Sequence, residues 1–405
     1  MTGVVISVDA MGGDGGPGPV LGGLSRALRK VPDLRFIIHG DRAILERILR
    51  RRRHTALREA CTLRHADDVV LMADKPARAL RERRQSSMWS AIEAVKAGEA
   101  PIAVSCGNTG ALLAMSVLIL RKAPGIDRPA IAVHWPSAAP HGFTTVLDVG
   151  ADVRAGPRGL VQYAVMGAEY ARASFGIERP RIGFLNVGTE KTKGPPELHL
   201  AAETVTAAVA EGVPYQVAGF VEGTDIAAAS VDVVVTDGFT GNIALKTAEG
   251  TASFIRQGLK EAFQHTILSR MGSLFAFTSL RRFQKRIDPR RVNGGVFLGL
   301  NGMVVKSHGR ADAVGIEAAV RLAVRIAERD VGAAAMASLE RFDLRALPHG
   351  HASAQWDDPS AASSPSQSDP ATTPSTSVPG GGDPLSLASR GEPDKTAAAN
   401  GSEGS

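Results

Sequence analysis

Residues 101–115 read PIAVSCGNTGALLAM, and their pattern decides the fold class. Four β-favouring residues, Ile102–Ser105, run into a turn of Cys106, Gly107, Asn108, Thr109 and Gly110, and an apolar helical stretch follows. A short apolar run that ends in Gly and Asn just before a longer one is a strand, a turn and a helix N-terminus in succession. The same unit recurs outward in both directions. Strands are expected at VVISVDA (4–10), RFIIHG (35–40), VVLMAD (69–74), IAVSC (102–106), AIAVHW (130–135), TTVLDVG (144–150), RIGFLNVG (181–188), YQVAGFV (215–221) and VDVVVTDG (231–238). Amphipathic helices are expected at SSMWSAIEAVKAG (86–98) and DAVGIEAAVRLAVRIAERD (312–330). Apolar strands alternating with helices predict an α/β fold, a mostly parallel sheet sandwiched by helices.

Glycine-rich polar clusters follow six of these strands: DAMGGDGGP (9–17), SCGNTGA (105–111), DVGAD (148–152), NVGTEKTKG (186–194), EGTD (222–225) and DGFTGN (237–242). In an open parallel sheet the carboxyl ends share one edge, where ligands bind, so the six clusters are expected to converge on one site. Turns that open helices offer backbone N–H groups and a helix dipole, a receptor for a small anion. Arg84, Lys191, Lys193 and Lys306 lie near these motifs and could add charge. MGGDGGPGP is neither G-x-G-x-x-G nor a P-loop, and no H-E-x-x-H, C-x-x-C or G-x-S-x-G is present. A phosphate, carboxylate or phosphoester site, with neither cofactor nor metal, is the chemistry these residues favour.

The charge is unevenly divided. The chain of 405 residues carries +6, made of +11 over residues 1–348 and −5 over 349–405. A basic body suits an acidic partner. Aromatic residues are 5% and do not interleave with the bases, which argues against a base-stacking nucleic-acid module. Residues 349–405, rich in Ser, Pro and Gly, are expected to be a disordered acidic tail beyond a domain of residues 1–348. Two cysteines, no signal-peptide pattern at MTGVVISVDA and an apolar run (111–120) too short for a bilayer predict a cytoplasmic protein.

VDAMGGD, RRQSSMWSAI, VSCGNTGAL, LDVGAD, NVGTEKTKG, GFVEGTDI, VVVTDGFTGNIALK and VNGGVFLGLNGMVVKSHG together resemble the bacterial phosphate acyltransferases that act on acyl–acyl carrier protein, from about residue 4 to 332. The resemblance implies a Rossmann-like fold similar to isopropylmalate dehydrogenase and phosphate acetyltransferase, and a homodimer. It implies transfer of a fatty acyl group from carrier-protein thioester to inorganic phosphate, and acyl-phosphate passed to a glycerol-3-phosphate acyltransferase. Phosphate is already an ionised nucleophile at neutral pH, so direct attack requires positioning and oxyanion donors rather than a catalytic triad. The resemblance makes Lys193 and Asn242 the leading catalytic residues; the plain alternatives are a solvated loop lysine and an Asn that caps the helix starting at NIALK. It lines the substrate site with Gly12, Gly13, Asp14 and Ser87, with Gly107, Asn108, Thr109 and Gly110, with Asn186 and Glu190, and with Asp237, Gly238, Thr240, Gly241 and His308. Asp9, Asp14, Asp148 and Asp237 are expected to organise loops, and His308 to protonate the leaving thiolate or support a residue that does.

Cys106 stands where the family commonly has a small residue, which reads as packing; a helix N-terminus that lowers its pKa would instead make it a nucleophile. Asp152 stands where the family usually has Asn, and Pro195–Pro196 replace a Gly-Asn-Glu type sequence. Residues 254–287 are expected to form a protruding helical hairpin, with Met271, Leu274, Phe275 and Phe277 at an apolar tip and Arg281 and Arg282 among its basic flanks. Such a hairpin suits an anionic membrane surface or the acidic carrier protein, or alternatively dimer packing. The run RILRRRRH (47–54) reads as a solvated helix end. The close alternative is a phosphate acetyl- or butyryltransferase that uses acyl-CoA. A dehydrogenase lacks its dinucleotide fingerprint, and a membrane scaffold without catalysis is the remaining class.

Overall fold

The computed structural model describes residues 3–266, 276, 278–279 and 294–348. Met271, Leu274, Phe275, Phe277, Arg281 and Arg282 lie outside the described residues, as does the tail from 349. Among those described, eleven strands join one sheet: β1 Val5–Asp9, β2 Arg35–Gly40, β3 Cys61–His65, β4 Ile102–Ser105, β5 Ala130–Pro136, β6 Phe143–Leu147, β7 Arg181–Leu185, β8 Gln216–Val221, β9 Val233–Val235, β10 Gly295–Leu298 and β11 Met303–Lys306. Their order is β3-β2-β1-β4-β11-β10-β5-β6-β9-β7-β8.

Seven of the ten strand pairings are parallel, so the α/β fold class holds. The other three are consecutive, β11 with β10, β10 with β5 and β5 with β6. Three reversals leave the block β6-β9-β7-β8 running opposite to the block β3-β2-β1-β4-β11. The expectation that six glycine clusters share one sheet edge is therefore corrected. The turns after β1 and β4 end on one edge and those after β6, β7, β8 and β9 on the other.

The strands alternate between two apolar layers, as a sheet covered on both faces requires. Ile6, Val8, Val104, Val233, Val235 and Val305 face one layer, built on helices Pro17–Lys30, Pro157–Phe175 and Ala313–Ala327. Ala103, Ile131, Val146, Val234 and Val304 face the other, with helices Ser87–Lys96 and Thr109–Leu120. Burial of each Val or Leu contributes about 1.5–3 kcal/mol relative to exposure.

One expected strand is absent and three others were not expected. VVLMAD is a loop: Leu71 and Met72 are exposed, and the Asp74 side chain accepts from Leu71 N–H at 2.9 Å to close a turn. The strand beside β2 is Cys61–His65 instead, an edge segment whose brief alternation, Cys61 and Leu63 packed on the core and Thr62 outward, the sequence reading passed over. β10 and β11 were quoted only within a motif; they are short and separated by glycine turns. Arg50–Arg53 are exposed after helix Arg42–Leu49, as a solvated end should be, while His54 turns inward to Ser25. No helix among the described residues is long and apolar enough to cross a membrane.

Two buried histidines set the acid limit of this core. Ser7 Oγ donates to Ala91 O, so His39 Nε2–H donates to Ser7 Oγ at 2.9 Å, and its Nδ1 accepts from Ser90. His134 stacks on Tyr170 with centroids 4.7 Å apart. Burial pushes both down to about 3. Each stays neutral while the unfolded chain protonates below about 6.5, so stability is complete above that pH and is lost progressively towards the folded value. Denaturant titrations should show stability level above pH 7 and, between about pH 6 and 4, falling by up to about 1.4 kcal/mol per pH unit for each histidine. His134→Phe, which keeps the stack, should lower that slope.

Candidate functional site

The first edge is organised by Asp9, buried at the end of β1. Its Oδ1 accepts from Met11 N–H, Gly12 N–H at 3.1 Å and the Ser87 hydroxyl at 2.6 Å, and its Oδ2 accepts from the Ser105 hydroxyl at 2.6 Å. Gly107 N–H donates to Ser105 Oγ, and Asp14 N–H to Gly309 O. The turns after β1 and β4 touch backbone to backbone, since a Cβ on Gly12 would lie 2.8 Å from Gly107 N. Ser87 and Gly107, expected at the substrate, thus hold the turns together. Ser105, which the sequence reading passed over, does the same.

Asn108 caps helix Thr109–Leu120, its Oδ1 accepting from Ala111 N–H, while its amide donates to Met72 O and Asp74 O. Both ends of this side chain are occupied. Thr109 opens the helix in an exposed position, Gly110 lies against Pro76, and Gly13 sits at φ 92° beside the Cys106 side chain. Asp14 faces Arg310 at 3.5 Å.

Cys106 itself is 4% exposed, and burial pushes its thiol up to about 12. The helix N-terminus that follows does not offset this desolvation. The thiol is packing, not a ready nucleophile. Lys306 Nζ donates to Cys106 O at 3.2 Å and to Ser307 O, and burial lowers its pKa to about 8. His308, on the same turn, is shifted down by partial desolvation, against Glu249 and with Lys246, Lys306 and Arg310.

The second edge is organised by Asp148, buried after β6. It accepts from the N–H groups of Ile131, Gly150, Ala151 and Asp152. Burial still raises its carboxyl to about 6, with those four N–H groups pulling the other way. Gly241 and Gly238 pack directly on Asp148, where a Cβ would collide. Asp237, rather than Asn242, caps helix Gly238–Gln264: its carboxylate accepts from Thr240 N–H at 2.9 Å and from the Thr240 hydroxyl at 2.8 Å. The capping alternative for Asn242 is thereby removed. Asn242 is exposed one turn into the helix, its amide near Gly150. Asp152 turns away to accept from Tyr163 OH at 2.8 Å and to face Arg128, so its charge is compensated. Pro195 and Pro196 serve as the N-cap and first residue of helix Pro196–Ala210, where proline costs no hydrogen bond.

Between the turns of this edge lies a cleft of about 570 Å³ lined by Asn186, Asp237 and Thr240 and by Val153, Leu160, Leu185, Val187 and Phe239. Asn186 Nδ2 donates to Lys193 O, which places the Lys193 loop at its rim. Lys193 Nζ pairs with Glu190 at 2.9 Å, and Glu222 after β8 adds to the field that raises its pKa. Two of the six glycine clusters, those after β7 and β9, line this cleft; Val153 follows the cluster after β6, and Glu222 of the cluster after β8 acts on Lys193. The apolar wall, Phe239 above all, was not anticipated; Phe239 sits at 59% exposure inside a motif otherwise read for its polar residues. Helix Gly238–Gln264 joins the two edges, for Asn242, Lys246 and Glu249 fall at i, i+4 and i+7, and the last two act on His308. That spacing was legible in the sequence.

A family model described as fatty acid synthesis protein matches residues 4–334. A phosphate acyltransferase of Paracoccus denitrificans (strain Pd 1222) is 58% identical over 326 residues, 80% of this chain and 87% of that protein. One of Rhodobacter capsulatus is 53% identical over 352 residues, 86% and 87% of the two chains. The chain belongs to this family of phosphate acyltransferases. The EutD phosphotransacetylase of Staphylococcus aureus, a solved structure, aligns at a TM-score of 0.49 and 16% identity over 80% of this chain and 94% of that one.

No group of three or more His, Cys, Asp or Glu suited to a metal occurs among the described residues. Since burial holds the Cys106 thiol protonated, Cys106→Ala should retain acyltransferase turnover within about twofold, a core change of one sulfur. In the folded protein at pH 7.5, iodoacetamide should modify Cys61, which is partly exposed but whose thiol burial pushes up to about 11, only slowly, and leave Cys106 intact by mass spectrometry.

Proposed function

We propose that the protein transfers a fatty acyl group from an acyl carrier protein thioester to inorganic phosphate, releasing acyl-phosphate for phospholipid synthesis. The observation that carries this reading is the cleft beside the Lys193 loop, apolar along one wall and polar at its rim. An acyl-thioester has the same division, an apolar chain and one polar reacting carbon. A buried, protonated Cys106 supports direct attack over a covalent enzyme intermediate.

A phosphate oxygen forms the bond to the thioester carbon, the C–S bond breaks, and the thiolate leaves with the electron pair. Lys193 offsets the negative charge that develops on the carbonyl oxygen, and Asn242 orients phosphate or donates to the same oxygen. His308 Nδ1 accepts from Arg310 N–H at 3.3 Å, which leaves the proton of the neutral ring on Nε2. From there the ring donates a hydrogen bond to the leaving thiolate, which takes its proton from solvent.

The net +11 of residues 1–348 suits an acidic donor, a description that fits an acidic carrier protein and the phosphates of coenzyme A alike. Residues 1–348 form the catalytic domain in this reading, and the chain acts as a homodimer in the cytoplasm. Its basic, apolar segment 254–287 rests on anionic membrane, where a glycerol-3-phosphate acyltransferase takes up the product.

Release of free carrier-protein thiol from a long-chain acyl–acyl carrier protein should require phosphate, and acetyl- and butyryl-CoA should be poor donors. Phosphate-independent release would sink this reading. Lys193→Ala and Asn242→Ala should each lower kcat by roughly 100- to 1,000-fold with the circular dichroism spectrum unchanged, the usual cost of one oxyanion donor.

A further inference from the structure

Anion binding on the first edge has to come from somewhere other than the best-placed turn N–H groups. Met11, Gly12, Asp14 and Gly107 already donate to Asp9, Gly309 O and Ser105. Side-chain cations remain, and one of them is set apart by its surroundings. Lys306 is the one lysine buried among the described residues. Its ammonium reaches the carbonyl of Cys106, in the turn after β4, and that of Ser307, in the turn after β11. β4 and β11 are parallel neighbours, so this group clamps two adjacent turns at the carboxyl ends of their strands.

We propose that Lys306 is a positioning residue for the phosphate substrate: it fixes the β4 and β11 turns and supplies, with Lys246 and Arg310, the positive field in which the dianion settles. The inference rests on the phosphate acyltransferase reading and names the edge on which phosphate waits. The second edge suits the acyl-thioester instead, because its cleft has apolar walls. Cations on both edges are ion-paired, Lys193 with Glu190, Lys246 with Glu249 and Arg310 with Asp14, so pairing does not separate them, and burial sets Lys306 apart. Helix Gly238–Gln264 carries Asn242 from the acyl side and Lys246 towards Lys306, so the two substrates approach along one helix face.

The groups that face Lys306 are Asp9 and Asp14 from β1 and its turn, Cys106 from the β4 turn and Lys246 from the helix, with His308 and Arg310 on its own turn. Burial weakens its hold on the proton to about 8, so the field should fade in mildly alkaline solution while phosphate remains a dianion. An arginine keeps its charge throughout that range.

The test is steady-state kinetics with phosphate and long-chain acyl–acyl carrier protein between pH 7 and 9.5, subtracting enzyme-free thioester hydrolysis. Wild type should show KM for phosphate rising at least fivefold above pH 8, with KM for the acyl donor nearly constant. Lys306→Met should raise KM for phosphate at least tenfold at pH 7 and abolish its further rise. Lys306→Arg should flatten the profile even if its absolute KM is altered, which keeps the test alive should the Met variant fail to fold. A wild-type KM for phosphate that is flat with pH would overturn the proposal. So would a folded Met variant whose losses fall equally on kcat and both KM values, the mark of a merely structural clamp. Absence of phosphate-dependent thiol release in wild type would instead overturn the reaction itself.

Discussion

Each edge of the sheet is built around one buried carboxylate. Asp9 after β1 and Asp148 after β6 each sit at the carboxyl end of a strand and draw the following glycine turn back onto themselves. Desolvating a carboxylate is expensive unless its lone pairs are taken, and here they are taken by turn N–H groups and serine hydroxyls. The turn conformations follow from that requirement. Glycines stand at 12, 238 and 241 because backbone, or the carboxylate itself, occupies the space a Cβ would need.

The other governing feature is the pair of reversed strands at the centre of the sheet. β10 and β5 lie antiparallel between two parallel blocks, and they send the two carboxylate-centred turns to opposite edges. A cationic region gathers on one edge, around Lys306, Arg310 and Lys246. An apolar cleft opens on the other. Helix Gly238–Gln264 spans them, and only Gly238 and Gly241 of its residues are fully buried, so most of its surface is open to substrates or partners.

For acyl transfer to phosphate this separation has a plain chemical use. An anion and an apolar chain need opposite surroundings, and their reacting atoms need only meet at one point. Cys106, on the first edge, is buried and protonated and is not an activated nucleophile. In the proposed direct attack, holding two reactants in line is the main contribution asked of the enzyme.

The amino-acid sequence by itself determined the fold class, because apolar runs of strand length alternate with amphipathic helices. It also marked the loop-organising role of the aspartates and the packing role of Cys106, since glycine turns and residue size report on local sterics. Ser87 and Asn108 were read as facing substrate, yet their hydroxyl and amide go to Asp9 and to the Met72 and Asp74 carbonyls. Those partners lie 34 to 78 positions away, beyond the reach of any local pattern. Strand direction is likewise silent in sequence, because an apolar run reads alike in a parallel or an antiparallel pairing. Only the tertiary structure decided that six similar turns serve two edges, and that Lys306 is buried where two of them meet.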